Sequence, residues 1–163
     1  MKKVLIFYGI LVIAIIIFAL SRGFNLINFS LPGTNNSSTP TAKIGNKTYT
    51  VVLAKTDKEK EQGLSGKNNL PANTGYLFVF AEKGNYGFWM NGMKFPIDIV
   101  FINDNKVVDV VENAPAPSTG QAPATLPIYK PSEPVNYVLE IAANEVSKNN
   151  IKKGDTVEFK NIQ

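Results

Sequence analysis

Hydrophobic positions along the 163-residue chain fall into two regimes. Residues 4–20 form one apolar run of Ile, Leu, Val and Phe without a charge, directly after Lys2 and Lys3. From residue 48 onward the apolar residues come in short runs broken by Gly, Pro, Asn and charged positions. A long uncharged run predicts a membrane-crossing helix, whereas short β-branched runs bounded by turn residues predict strands. At 1.5 Å per residue the first run covers about 25 Å, slightly less than a ~30 Å hydrocarbon core, so it can just span. The basic flank Lys2-Lys3 places the N-terminus inside and the remainder outside. A cleaved signal peptide is the competing reading, with Ala19-Leu20-Ser21 as the small-residue site, but the run exceeds the usual apolar length of about 7–15 residues.

The chain thus divides into an N-terminal anchor or signal peptide over residues 1–22, an interfacial and linker segment over 23–42, and an extracytoplasmic β-rich domain over 43–163. Phe24, Leu26, Ile27, Phe29 and Leu31 suit the outer bilayer interface. Residues 32–42 carry no charge and no large apolar side chain, which is the composition of a flexible spacer. The expected location is the cell membrane in a single pass, or outside the cell if the segment is cleaved.

Within the domain, residues 48–54 read as a strand. Thr56 with Glu59 three positions on is a capping box that opens a short helix, and Gly63 ends it. Residues 65–74 read as a loop and 76–80 as a strand. Phe88-Trp89-Met90 and residues 93–101 flank Asn91-Gly92, the usual pair for a type I′ hairpin turn, with Pro96 at an edge or bulge. Asn103-Asp104-Asn105 makes a second tight turn into a strand over 106–111. Residues 112–134 hold six of the ten prolines and predict an extended surface loop, anchored by Tyr129. Residues 136–142 and 156–159 are further strands, with one helical turn capped by Asn144 between them. The sum is a mainly β domain, a β-rich α+β arrangement expected to form a small barrel or rolled antiparallel sheet with one short helix.

Composition narrows the chemistry. There is no cysteine and no histidine, so disulfides, lipid-modified cysteine, zinc centres, Cys-His hydrolases and Ser-His-Asp triads are excluded by residue type. No metal site and no cofactor are expected; Asn103, Asp104 and Asn105 lack the further spaced carboxylates of a calcium loop. The net charge of +4 comes mostly from Lys2, Lys3 and Arg22; from residue 43 onward 14 basic residues face 13 acidic ones, which gives no reason to expect nucleic acid.

Residues 86–102 concentrate the remaining candidates: the only tryptophan, two of three methionines, three of ten phenylalanines and one acid, Asp98. Here the chain resembles the family known as domain of unknown function 192. The resemblance rests on Gly63-Leu64, residues 75–80, Phe88-Trp89-Met90-Asn91, residues 96–102, residues 137–140 and residues 151–155, in that order and spacing. It implies a secreted or anchored single-domain bacterial or archaeal protein and no established activity. Three positions depart from the pattern: Ser65 replaces a common methionine, Gly92-Met93 a usual Asn-Thr, and Asn144 a usual glycine.

Asp98 and Glu140 are each an acid set among apolar strand residues. Such an acid is either a structural latch held by backbone donors or a cleft group with a raised pKa. Facing one cleft, the two would make an acid/base pair of the glycosidase kind. Trp89 reads first as core and Asn91 first as a turn residue; if Trp89 is exposed, it would suit stacking on sugar rings with Tyr86, Tyr129 and the Asn91 amide around it. Three functions follow: a noncatalytic binding module for a glycan or cell-envelope component, a metal-free carboxylate hydrolase using Asp98 and Glu140, or an envelope scaffold that binds another protein.

Overall fold

Seven strands form one curled sheet in the computed structural model, which describes residues 39–163. The strands are β1 (Thr41–Ile44), β2 (Lys47–Ala54), β3 (Thr74–Gly84), β4 (Ile97–Asn103), β5 (Lys106–Ala114), β6 (Val135–Ala142) and β7 (Val157–Lys160). Two short helices accompany them, α1 (Asp57–Gln62) and α2 (Glu145–Lys148), with a 3₁₀ turn at Pro123–Thr125. The order across the sheet is β5-β4-β6-β3-β2-β1-β7. β5 and β7 are the edges, and they meet at one end through a Lys106–Thr156 bridge and a bond of 2.9 Å from the Val107 N–H to the Asp155 carbonyl. The sheet is therefore a half-barrel, mainly β as the alternation predicts. The expected anchor, the interfacial segment and most of the linker fall on residues 1–38, outside the described residues. Among the described residues no helix is long and apolar enough to cross a membrane.

The pairing is not wholly antiparallel. β2 and β3 run parallel, Thr50 beside Thr74 through Ala54 beside Phe78. Parallel neighbours need a crossover of about a dozen residues or more, and residues 55–73 supply it with α1 inside. That helix starts as its sequence predicts. The Thr56 hydroxyl accepts from the Glu59 N–H at 3.3 Å, the Glu59 carboxylate accepts from the Thr56 N–H at 2.9 Å, and Gly63 follows at φ 48°. β1 begins at Thr41, inside the stretch read as spacer, and pairs with β2 across the Gly45-Asn46 turn.

The central strands carry the core. Six of the seven residues of β4 are buried, and β6 lies between β4 and β3 although the Pro-rich loop separates it from them in the chain. Each face of the sheet is covered. Tyr76, Phe78, Phe88, Met90, Met93, Ile97, Ile99, Phe101 and Val138 pack on one face; Ala42, Ile44, Tyr49, Val51, Leu77, Val100, Ile102, Leu139, Ile141 and Val146 pack on the other.

Two local expectations are corrected. Residues 88–101 are not a hairpin: Phe88 pairs with Tyr129 rather than with the return strand, and strand structure resumes only at Ile97. A type I′ turn needs φ > 0 at both central residues, yet only Gly92 has it, at φ 71°. Pro96 lacks an N–H and keeps the approach to β4 out of the ladder. Asn144 does not cap α2 with its side chain either. It adopts the left-handed conformation at φ 69°, which asparagine tolerates, and this explains how it stands where the resembling pattern has glycine.

Candidate functional site

The first covering layer leaves a cavity of about 310 Å³ beside the sheet. The end of α1 and its turn contribute Lys60, Glu61, Gln62, Gly63, Leu64 and Ser65, and β3 contributes Phe78 and Phe80. The segment covering the sheet contributes Tyr86 to Trp89, Asn91 and Met93, and Glu140 comes from β6.

Local sequence explains each wall. Tyr86 folds back over Gly84, where a Cβ would come within 2.9 Å of its ring, and stacks on Phe80 with centroids 3.6 Å apart. Its hydroxyl donates to the Glu82 carbonyl at 2.8 Å, so Tyr86 serves as a fixed flat wall. Phe88 is buried edge-on against Phe78 and is held by two backbone bonds with Tyr129, of 2.8 and 2.7 Å. Its neighbour Trp89 also lines the cavity and remains 49% exposed. The Asn91-Gly92 turn is pinned by a 2.9 Å bond from the Gly66 N–H to the Gly92 carbonyl. A side chain at Gly92 would collide with the Ser65 hydroxyl, so two of the three departures from the resembling pattern touch each other.

Glu140 supplies the chemistry. It is 6% exposed, and its Oε2 is buried without a hydrogen-bond partner. Burial pushes its carboxyl up to about 8 from an ordinary 4.5, so at neutral pH the group is mainly the neutral acid. Gly63 lets the backbone close over it; a Cβ there would stand 3.1 Å from the Phe78 ring and 4.0 Å from Oε2.

Asp98, unlike Glu140, is fully hydrogen-bonded. It is fully buried, and its carboxylate accepts three backbone N–H groups: Asn113 at 2.8 Å, Asn144 at 3.2 Å and Val146 at 2.7 Å. The side chain rather than Asn144 caps α2 and ties β4 to the end of β5, which is the structural-latch reading of this residue. Register separates the two acids: Glu140 is the partner of Ile99 and Asp98 of Ile141, so they project from opposite faces of the sheet. The acid/base pair considered for a hydrolase is not formed.

Of the sequence-level candidates, Tyr86, Trp89, Asn91 and Glu140 gather at the cavity. Asp98 lies on the other face, and Tyr129 acts as the backbone partner of Phe88 rather than as a lining group. Phe78, Phe80 and Lys60 were not singled out from sequence. Their signals were those of a strand and a solvated helix, and only the parallel β2–β3 pairing brings them together. Lys60 Nζ lies 4.9 Å from the centre of the Phe80 ring.

A sequence profile described as DUF192, Uncharacterized ACR, matches residues 40–159. Among solved structures, a proposed transcription regulator from Sinorhizobium meliloti 1021 is similar at 29% identity and a TM-score of 0.63, covering 75% of this chain and 92% of that one. A protein of unknown function from Novosphingobium aromaticivorans DSM 12444 is similar at 27% identity and a TM-score of 0.64, covering 78% and 89%. No curated protein matches the chain.

Proposed function

The chain belongs to the domain of unknown function 192 family, and from that premise we propose that its β domain is a noncatalytic binding module, displayed outside the membrane, that seats one ring-sized unit of a glycan or another cell-envelope component in the cavity beside Trp89. The observation that carries this reading is a half-exposed tryptophan lining an aromatic-walled cavity that also holds the buried carboxyl of Glu140. Ligand sites are concave, mostly apolar and fitted with a few convergent polar groups, and about 300 Å³ is the lower end of their usual size. Trp89 offers a flat face for a sugar ring, Asn91 offers an amide at the rim, and Glu140 offers a carboxyl that no described residue satisfies on Oε2. The opposite-face placement of Asp98 and Glu140 favours binding over two-carboxylate hydrolysis.

A calorimetric and thermal-shift screen against envelope oligosaccharides and peptidoglycan fragments tests the module. At a hundred times its dissociation constant a ligand adds about 2.7 kcal/mol of stability. Binding that disappears in Trp89→Ala, while that variant unfolds at the wild-type temperature, supports the reading. Binding that survives the substitution removes the cavity from it.

A further inference from the structure

Building on the binding-module reading, we infer that the cavity selects a ligand bearing a primary ammonium group, such as an unacetylated amino sugar, whose ammonium packs on the aromatic walls and pairs with the Glu140 carboxyl while its ring lies on Trp89. The walls are the first argument. Phe78, Phe80, Tyr86, Phe88 and Trp89 line the cavity together with the buried acid Glu140; Phe80 and Tyr86 stack on each other, and the exposed ring of Trp89 offers a face whose quadrupole attracts a cation. Lys60 already lays its own ammonium against Phe80 on this wall.

The second argument is donor count. The Glu140 carboxyl makes no hydrogen bond and takes part in no ion pair among the described residues, and although its Oε2 is shut off from solvent the residue lines the cavity. An ammonium brings three donors and a charge, whereas a hydroxyl brings one donor. The groups around the acid leave the pairing open. From α1, Lys60 and Glu61 stand at the rim and Glu59 is engaged at the Thr56 cap. From β3, the Tyr76 phenol is pushed up by burial and stays neutral, and the Tyr86 hydroxyl is engaged with the Glu82 carbonyl. The facing residue of β4 is Ile99.

Proton balance makes the inference measurable. Glu140, held near 8 by burial, enters as the neutral acid. When R–NH₃⁺ binds, the carboxyl gives its proton to the buffer and the carboxylate stays paired with the ammonium. At pH 7 up to about one proton is released per ligand, and affinity rises as pH rises from about 6 to 8 for an amine that remains charged.

The test is titration calorimetry on the intact protein in two buffers of different protonation enthalpy. The probes are cyclohexylammonium with cyclohexanol, and glucosamine with N-acetylglucosamine and glucose. Expected is binding of cyclohexylammonium and glucosamine at least tenfold tighter than of their neutral counterparts, with proton release for cyclohexylammonium, whose amine stays charged, and a smaller release for glucosamine, whose ammonium is itself partly deprotonated near neutral pH. Glu140→Gln should abolish the release and the preference. If that variant does not fold, the wild-type buffer dependence still decides. Neutral sugars binding as tightly as glucosamine, or no proton release, overturn the ammonium inference and leave the module standing. Cyclohexylammonium binding without any sugar upholds the ammonium site and overturns the glycan reading. No binding by any probe overturns both.

Discussion

Glu140 makes the stability of this protein depend on pH in the sense opposite to that of a paired carboxylate. In the folded chain its carboxyl titrates near 8, and once unfolded it returns to about 4.5. Between those values the native state holds a proton that the unfolded state has lost. Stability contributed by the neutral acid is therefore complete below about 4.5 and falls as pH rises toward 8, with a slope of about 1.4 kcal/mol per pH unit. Across the window this amounts to at most about 5 kcal/mol, and less where water enters the floor as the acid ionises. That is comparable with the whole stability of a small domain, about 5–15 kcal/mol. The chain has no histidine, so no other side chain ordinarily titrates in this interval. Glu59, lowered by the backbone N–H groups of Thr56 and Lys55, titrates below 4.5 and outside the window. Glu140→Gln keeps the shape and the neutrality but cannot ionise. Urea midpoints measured from pH 4.5 to 9 should fall steadily for the wild type and stay level for the variant, the two starting close together and the variant ending several kcal/mol more stable. A wild-type profile that is flat between pH 5 and 8, or a variant with the same slope, would show that the acid is not buried as described.

Asp98→Asn should cost about 2–4 kcal/mol in thermal or urea unfolding, because one of three buried N–H groups then faces an amide donor and the other bonds lose their charge assistance; a loss under about 0.5 kcal/mol would refute the latch. Gly92→Ala should cost about 2 kcal/mol, from a left-handed backbone position and from collision with Ser65. Ser65→Gly in the same chain should recover the steric share, and strictly additive effects would mean the two residues do not touch. Thr56→Ala should lose about 1 kcal/mol by removing the cap of α1, and unchanged unfolding would mean that the helix end is not held there.

What was legible in the sequence is what neighbouring residues decide. The strand runs, the Thr56–Glu59 box, the stop at Gly63 and the turn at 103–105 all follow from spacing of a few positions. Asn91-Gly92 misled because a hairpin needs strands on both sides that prefer each other. Phe88 instead satisfies its backbone with Tyr129, about forty positions away. The insertion of β6 between β3 and β4, and the parallel β2–β3 pair, depend on which buried surfaces meet, and composition does not encode that directly. The cavity is a product of these long-range choices, so its walls Phe78 and Phe80 looked like ordinary core.

Asp98 and Glu140 show how far such a choice reaches. In sequence they are the same object, one acid in an apolar strand, with the same two readings open to each. In the sheet their cross-strand partners differ by a single residue, Ile141 for Asp98 and Ile99 for Glu140, and with a side-chain period of two that offset sends them to opposite faces. On one face the end of β5 and the start of α2 turn three N–H groups inward, and the carboxylate becomes a structural tie. On the other, the covering layer presents rings and the bare backbone of Gly63, so the acid is left neutral with an oxygen unsatisfied. A buried polar atom without a partner costs about 1–3 kcal/mol. A fold that needed only a filled core would do better with leucine at 140. A glutamate in the wall of an aromatic cavity makes physical sense when something that enters the cavity pairs with its carboxyl.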